Sequence, residues 1–348
     1  RLSGIDALRP FTLAKSPLLR VSLLRLSQQE HIAIVSMHHI ISDGWSIHLL
    51  IEEVTALYEA YRSGKPSPVP DLPVQYGDFA HWQTELLQPG SAVLESQLAY
   101  WKEQLRDVAE LKLPLDRPRP AVYDPRGALL PLRYSAELSQ ALKKLSRRED
   151  VTLFMTLLSA FNVLLHSLSG QEDIVVGAPI ANRTRVEMEK LIGFFVNMLV
   201  LRTDLSGDPT FRELLQRTRE VMIGAYAHQD VPFAKLVGEL NVKRDASRNP
   251  LFQVAYIFDN TSVQTPELNG LRLSQFNFEV NTAPFDLSLF LTETADGLRG
   301  SVMYNTALFD EQTIRRMLDH HETLLERVVA DPNQRLSSFN FLAKALAG

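Results

Sequence analysis

The residues best suited to chemistry lie in one short run, Met37–Ser46, which reads Met-His-His-Ile-Ile-Ser-Asp-Gly-Trp-Ser. A run of β-type alternation, Glu30–His39, leads into it, and helical spacing of apolar residues follows over Trp45–Arg62. A turn between a strand and a helix commonly displays reactive side chains. Four residues of this turn are candidates for a site: His38, His39, Asp43 and Gly44.

The two histidines are expected to have different roles. Adjacent residues of a strand point to opposite faces, so His38 and His39 enter one cleft only if the strand has already ended. We therefore expect one chemical and one structural histidine. Asp43 is placed to cap the helix or to accept a hydrogen bond from a cation. Gly44 is expected to let the backbone turn where a side chain would clash.

The rest of the chain predicts a mixed architecture of α/β layers. The segment Pro114–Gly127, with four prolines and several charges, predicts an exposed crossing and a domain boundary near residue 118, between domains 1–118 and 119–348. Asp296-Gly297 predicts a hairpin between flanking strands. The remaining predicted elements are helices at Ser91–Arg106, Thr152–Leu168 (buried on almost every face), Phe211–Tyr226 and Glu311–Val329, and strands at Asp173–Ala178 and Phe252–Phe258.

Composition narrows the class of protein. With 348 residues, 45% hydrophobic and 22% charged, the chain reads as an ordinary globular protein. A net charge of −5 without a long block of like charges makes nucleic acid a poor partner. No apolar run is long enough to cross a bilayer and no signal peptide is visible, which predicts a cytoplasmic protein without a membrane partner.

Missing residue types exclude several chemistries. The sequence has no cysteine, so disulfides, thiolate metal sites and a thiol nucleophile are excluded. None of the nine histidines falls in a His-Glu-x-x-His pattern, and we expect no bound metal. No Gly-x-Ser-x-Gly elbow is present, which favours direct transfer over a covalent acyl-enzyme.

The His-His-x-x-x-Asp-Gly motif resembles the active-site signature of the condensation domains of non-ribosomal peptide synthetases, relatives of chloramphenicol acetyltransferase. The resemblance implies two acetyltransferase-like lobes with an active-site channel between them, and His39 near its middle. Two family motifs upstream of the signature are not found, so we expect the first lobe to be incomplete. Four further blocks resemble the family in its order: Tyr76–Gln83, Ile192–Asn197 (with Met198 where threonine is usual), His228–Phe233 and Arg244–Leu251.

The resemblance also implies a reaction. A donor acyl or peptidyl thioester would condense with the amine of an acceptor aminoacyl thioester, both carried on the 4′-phosphopantetheine of carrier domains. No cofactor is expected on the domain itself. The expected partners are upstream and downstream peptidyl carrier domains and an adjacent adenylation domain, and the motif resembles the branch that accepts an L-configured donor.

Residue roles follow from the same resemblance. His39 would act on the acceptor amine, as general base or as a hydrogen-bonding positioner, and both roles stay open. The resemblance implies that Arg183 pairs with Asp43, since a buried aspartate needs such a partner. Three residues are expected to line the channel: Trp45, Asn197 and Asn249.

Several residues of the further blocks are interpreted as structural. We expect Tyr76, Phe79 and Trp82 to pack a lobe, and His228 to cap the helix before it. The turn Arg248–Pro250 is expected to order a loop near the cleft.

Other functions of the same signature stay open. An epimerisation domain shares the two histidines, but Ile192–Asn197 favours condensation, and a heterocyclisation domain would carry aspartates in their place. A stand-alone acyltransferase would share the fold and His39. A catalytically silent docking module is the alternative from another class. The intact motif argues against it, since it keeps His38, His39, Asp43 and Gly44.

Overall fold

The computed structural model describes residues 9–242, 245–259, 268, 270–274 and 281–339. These residues group into two compact units. The first unit holds the described residues of Arg1–Gln88, Ala181–Val196 and Val263–Glu279, and the second holds those of Pro89–Ile180, Asn197–Ser262 and Val280–Gly348. The domain boundary expected near residue 118 falls inside the second unit and stays a prediction.

The first unit is built on a strand, a turn and a helix, as the sequence predicts. Strands β1 and β2 pair antiparallel, with Val21 opposite Val35. A 3-10 turn follows β2, and the long helix α1 begins directly after the Asp43 cap. The elements of this unit are β1 (Leu19–Arg25), β2 (His31–Met37), the 3-10 helix His39–Ile41, α1 (Gly44–Arg62), α2 (Tyr76–Leu86) and the 3-10 helix Val186–Met188.

An aromatic cluster forms the core of the first unit. The rings of Phe79 and Phe195 lie 4.6 Å apart between centroids, and the partly buried Tyr76 and Trp82 pack against the same cluster. The prediction that Tyr76, Phe79 and Trp82 pack a lobe is therefore confirmed. Met188 is also buried here, so the segment before Asn197 belongs to this core.

The second unit contains a six-stranded sheet in the order β3-β8-β7-β6-β4-β5. The pairs β4–β6 and β6–β7 are parallel, and the other neighbours are antiparallel. Mixed pairing of this kind, with helices packed on the sheet, is the predicted α/β architecture. The strands are β3 (Gly127–Arg133), β4 (Asp173–Ile180), β5 (Asn197–Asp204), β6 (Val254–Asp259), β7 (Leu287–Thr294) and β8 (Gly297–Asn305).

Helices pack around this sheet, and the most buried of them is the one predicted to be apolar on almost every face. Its Thr152 cap accepts a hydrogen bond from the N–H of Met155 at 3.2 Å, and Gly170 ends it with a φ of +70°, a conformation that favours glycine. The helices of the unit are α3 (Ala92–Gln104), α4 (Ala136–Arg148), α5 (Leu153–Ser169), α6 (Phe211–Ala227), α7 (Phe233–Glu239) and α8 (Glu311–Ala330), and α5 contacts α4, α6, α8 and β4.

The predicted hairpin is also confirmed, because β7 and β8 are joined through Asp296 with Thr294 opposite Gly297. Some elements were not predicted: β1, β3, β5, α2 and α4. Strand β3 shows one reason, since it contains Pro131, which interrupts a strand pattern and is tolerated here because β3 lies at the edge of the sheet.

Within the described residues, no single helix is both long and apolar enough to cross a membrane. Helices α4 and α5 reach the required length and composition only when taken together across a 105° bend, which is weak support for a span.

Candidate active site

His38 and His39 lie in the turn after β2, where they have different contacts. Strand β2 ends at Met37, and His38 is the N-cap of the 3-10 helix that follows. The Nδ1 atom of His38 accepts a hydrogen bond from the N–H of Ile40 at 3.1 Å. His38 therefore holds the backbone of the turn, as expected for the structural member of the pair.

His39 is exposed, and the proton on its ring is fixed by a neighbouring carbonyl. Its Nδ1 atom lies 2.6 Å from the backbone oxygen of Ser42. Because a carbonyl oxygen can only accept, Nδ1 must carry the hydrogen, and in the neutral ring this leaves a lone pair on Nε2. Among the described residues Nε2 has no hydrogen-bond partner. His39 can therefore accept a proton from a ligand.

Asp43 caps helix α1 and gathers hydrogen bonds from two parts of the first unit. Its Oδ1 accepts from the N–H of Ser46 at 2.8 Å, and its Oδ2 accepts from the N–H of Phe195 at 3.0 Å. The Nη2 atom of Arg183 lies 3.2 Å from Oδ1. The ion pair implied by the resemblance is thus present.

The surroundings of Asp43 and Arg183 keep both side chains ionised. Burial by itself raises the pKa of Asp43, but hydrogen bonds from Ser46 and Phe195 and the charge of Arg183 outweigh it, so the pKa lies below its ordinary value. Burial lowers the pKa of Arg183, and Asp43 opposes that shift. Both side chains are ionised at neutral pH, so Asp43 acts as a fixed charge and not as a proton acceptor.

Arg183 also binds the segment of chain that precedes Phe195. Its Nη1 atom donates to the carbonyl oxygen of Leu191 at 2.8 Å and also to that of Met188. Its guanidinium carbon lies 4.0 Å from the centroid of the Phe195 ring. Arg183 therefore holds this segment and the motif turn in one arrangement.

Ser46 lies at the centre of this hydrogen-bond network, although nothing in the sequence assigned a role to it. Its fully buried hydroxyl accepts from the N–H of Gly193 at 3.0 Å and from Arg183 Nη2 at 3.0 Å. Its single hydrogen can go to Asp43 Oδ1 at 2.7 Å or to the oxygen of Gly193 at 2.8 Å. The only signal in the sequence was its place three residues after Asp43, where a cap finds its partner.

Gly44 corrects an expectation. It is the exposed first residue of α1, and a Cβ added there would meet no described atom within 4 Å. A clash is therefore not the reason for glycine at this position. Its neighbour Trp45 is half-buried and donates its indole N–H to the oxygen of Glu189 at 2.9 Å, and its channel-lining role stays a prediction.

The two asparagines expected to line a channel are both bound to the main chain of the second unit. The amide nitrogen of buried Asn197 donates to the oxygens of Gln229 and Val231, each at 2.9 Å, and its oxygen accepts from two backbone N–H groups. All the polar atoms of Asn197 are therefore engaged with the main chain, where it braces a loop, and its channel-lining role stays a prediction. Asn249 donates to the oxygen of Pro284 at 2.7 Å, and its channel role stays a prediction.

In the third further block, His228 has a structural role. His228 is the C-cap of α6, its Nδ1 lies 2.8 Å from the oxygen of Gly224, and its ring stacks on Tyr100. The capping role expected of His228 is confirmed. In the last block, Arg244 lies outside the described residues. No group of three or more potential metal ligands occurs in the part of the chain that the structure describes.

Comparison with known proteins places the chain in a family. The Condensation domain family matches residues 3–346. The chain is 49% identical over 345 residues to a linear gramicidin synthase of Brevibacillus parabrevis, and 45% identical over 334 residues to a chondramide synthase of Chondromyces crocatus. These matches cover 98% and 96% of the chain but only 7% and 8% of the two proteins, so the chain corresponds to a small part of each.

Solved structures share the fold. The X-domain from teicoplanin biosynthesis matches with a TM-score of 0.88 at 30% identity, over 96% of this chain and 76% of that one. The first condensation domain of the CDA synthetase matches with a TM-score of 0.74 at 22% identity, over 96% and 72% of the two chains. With a matching family over nearly its whole length and the two-histidine turn in place, the chain belongs to the condensation domains of non-ribosomal peptide synthetases.

Proposed function

We propose that this domain joins a donor acyl or peptidyl thioester to the amine of an acceptor aminoacyl thioester. Both substrates would be carried on the 4′-phosphopantetheine of carrier domains. In this reaction the nitrogen–carbon bond forms, the carbon–sulfur bond of the donor breaks, and one amine proton ends on the released thiolate. Two further relatives support this proposal, because one is named a probable nonribosomal peptide synthetase and the other a phosphinothricin tripeptide synthetase, at 41% and 40% identity over 96% and 99% of the chain.

The observation that carries the proposal is the state of His39. Its Nδ1 proton is held by Ser42, while Nε2 has no partner among the described residues and the side chain is exposed. An α-amino group has an ordinary pKa of about 8, so a base needs little driving force to take its proton near pH 7. A positioned imidazole that transfers this proton would contribute roughly 10²- to 10⁴-fold to the rate.

The other motif residues support His39 from a distance. The hydrogen bonds of the Asp43 carboxylate among the described residues are with Ser46, Phe195 and Arg183, and none is with His39. Asp43 therefore differs from the aspartate of a catalytic triad, which orients its histidine directly. In this proposal Asp43 and His38 hold the turn, and His39 alone touches the reacting atoms.

The proposal includes the partners and the donor. Peptidyl carrier domains would deliver the two substrates, with an adenylation domain beside the condensation domain in the same protein. A four-domain non-ribosomal peptide synthetase bound to AMP and glycine, matched with a TM-score of 0.84 at 26% identity, supports this setting. The donor is proposed to be L-configured. The channel expected between two lobes stays a prediction.

The test is a condensation assay with two loaded carrier domains and the chain in its natural multidomain protein. Intact-mass measurement of the acceptor carrier should show the added donor unit, and His39→Ala should lose at least about 100-fold of that product. His81→Ala is the matched control, because His81 is exposed on α2 and pairs only with Glu85 among the described residues. Activity of His39→Ala within about twofold of the wild type would overturn the assignment.

The same assay distinguishes the rival functions. An epimerisation domain would invert the donor without transfer, and a stand-alone acyltransferase would use a free acyl donor. A silent docking module is favoured by one comparison, since an X-domain from teicoplanin biosynthesis, with a TM-score of 0.88, occurs in a complex with OxyB. Binding of loaded carriers without any product would support that function.

A further inference from the structure

The aromatic ring of Phe194 lies beside His39, and nothing in the sequence assigned a role to it. The ring centroids of Phe194 and His39 lie 5.1 Å apart, and their planes are 89° to each other. This is the edge-to-face arrangement that aromatic pairs prefer. Phe194 is the third residue of the block Ile192–Asn197, where the family pattern Ile-Gly-x-Phe-Val-Asn specifies no residue type, so the resemblance assigns no role to it.

The backbone around Phe194 is fixed by the residues that organise the motif turn. Before it, both the N–H and the oxygen of Gly193 contact the hydroxyl of Ser46, at 3.0 and 2.8 Å. Its own oxygen accepts from the phenol of Tyr76 at 2.8 Å. After it, the next N–H donates to Asp43 at 3.0 Å. The backbone from Gly193 to Phe195 is thus held at four atoms, one of them the oxygen of Phe194.

The same segment has no room to shift toward Tyr76. A Cβ added at Gly193 would lie 2.1 Å from an atom of the Tyr76 ring, closer than any real contact. Glycine is therefore required for this close approach. The network that fixes the Asp43–Arg183 pair also fixes the position of the Phe194 ring.

The contact supplies a constraint that the hydrogen bond of His39 does not. The bond from Nδ1 to Ser42 sets one direction in the imidazole plane but leaves the ring free to tilt about that direction. A second ring standing perpendicular to it restricts the tilt. Phe194 is the only ring, among the described residues, that packs against His39. Together the two contacts define where Nε2 points.

The exposure of Phe194 also suggests a role beyond packing. Phe194 keeps 37% of its residue surface exposed, whereas the adjacent Phe195 is buried in the aromatic core. A phenylalanine that leaves so much surface in water contributes less to stability than a buried one.

We propose that Phe194 is a positioning residue that holds the imidazole of His39 in the orientation for proton transfer. The inference rests on the proposed function, in which His39 acts on the acceptor amine. A misplacement of about 1 Å can cost on the order of 100-fold in rate. Loss of the ring should therefore reduce turnover while substrate binding is kept.

The experiment compares Phe194→Leu with Phe194→Tyr in the multidomain protein. Phe194→Leu should lower kcat by about 10- to 100-fold with KM within about threefold, and Phe194→Tyr, which keeps the ring, should restore kcat to within about threefold. Tyr226→Leu removes a similarly exposed aromatic side chain from helix α6 and should leave kcat unchanged.

A spectroscopic measurement separates positioning from a merely structural role. In the domain labelled at histidine, the residual dipolar couplings of the His39 ring report its orientation; they should change in Phe194→Leu, where the ring can tilt, and keep their wild-type values in Phe194→Tyr. If kcat and the His39 couplings are both unchanged in Phe194→Leu, the inference is wrong. It is equally wrong if kcat falls while the His39 couplings are unchanged or Phe194→Tyr fails to restore activity.

The His39→Ala variant distinguishes a failure of the proposed function from a failure of the inference about Phe194. If His39→Ala keeps its activity, the proposed function fails, and the His39 couplings in the Phe194 variants alone decide whether Phe194 orients the ring. If His39→Ala is inactive while Phe194→Leu is fully active, only the inference about Phe194 fails.

Discussion

Arg183 Nη2 lies 3.2 Å from Asp43 Oδ1, and the two side chains keep only 2% and 4% of their surface exposed. A buried ion pair is stable only when further hydrogen bonds compensate the lost water. Here Ser46 and Phe195 donate to the carboxylate, and two backbone carbonyls accept from Arg183. The pair joins positions 140 residues apart in the sequence and so sets the geometry of the motif turn.

Removal of one partner should be costly. Asp43→Ala leaves the charge of Arg183 buried without a counter-charge, and we expect a loss of about 3–5 kcal/mol in the free energy of unfolding, measured by urea titration. Glu311→Ala breaks the exposed pair with Arg315 on α8 and serves as the control, with only a small change expected. Equal losses in the two variants would contradict the structural role of the Asp43–Arg183 pair.

Ser46 should matter for stability although it carries no charge. Ser46→Ala removes the acceptor for Gly193 N–H and for one nitrogen of Arg183, and an unpaired buried donor costs roughly 1–3 kcal/mol. In Thr84→Ala an exposed hydroxyl that donates to Ala80 is lost, and the free energy of unfolding should change by less than about 0.5 kcal/mol. Chemical denaturation of both variants tests the difference, and a neutral Ser46→Ala would show that the network is dispensable.

Two glycines of the first unit should respond oppositely to alanine. Gly193→Ala drives a methyl group into the Tyr76 ring, and such overpacking costs about 1–3 kcal/mol. Gly77 lies in helix α2 with open space around its Cβ position, so Gly77→Ala should stabilise the domain by about 0.5–1 kcal/mol. Melting temperatures that fall for the first and rise for the second would support the packing at Gly193, whereas two rises would refute it.

Stability should fall on acidification because of His321. This buried histidine contacts the Tyr134 hydroxyl at 2.6 Å, and burial lowers its pKa from 6.5 to about 4. Below pH 6.5 the unfolded chain binds a proton at His321 that the folded chain does not bind. The contribution of His321 to the free energy of unfolding is therefore fully present above pH 6.5 and is lost as the pH falls toward about 4. The loss should be on the order of 3 kcal/mol between these limits.

His321→Asn removes this titration and should flatten the dependence of the unfolding free energy on pH between 7 and 4. The exposed His81 provides the control, since His81→Asn should keep the slope of the wild type. Urea titrations at several pH values measure both slopes. An unchanged slope in His321→Asn would assign the acid sensitivity to other groups.

Substitution of His38 should affect mainly stability, whereas substitution of His39 should affect mainly the reaction rate. His38→Ala removes the acceptor for Ile40 N–H, and loss of such a cap costs about 1 kcal/mol, so the melting temperature and product formation should fall together. His39→Ala removes an exposed side chain and should reduce product formation with little change in melting. A His38→Ala variant with wild-type melting and a pure rate defect would place His38 in the chemistry.

Local features of the fold could be predicted because their signals lie within a few residues. Alternation gave β2, helical spacing gave α1 and α5, and Asp296-Gly297 gave the hairpin. Strands β1 and β5 lack such an unambiguous local signal and were missed. The pairing of β4 with β6 and β7 depends on tertiary contacts, which periodicity does not encode.

The sequence by itself determined the family, the α/β architecture and the turn that carries His38, His39 and Asp43, because residue order and short-range periodicity are enough for these. Only the tertiary structure decided that Ser46 joins Asp43 to Gly193, that Phe194 packs against His39, that Gly44 faces open space and that Asn197 braces a loop. The contacts of Asp43 and Ser46 with this segment span 147 to 152 residues of sequence. The geometry of these contacts arises from packing in the first unit. Buried polar groups need hydrogen-bond partners there, and the partners come from segments that are distant in the sequence.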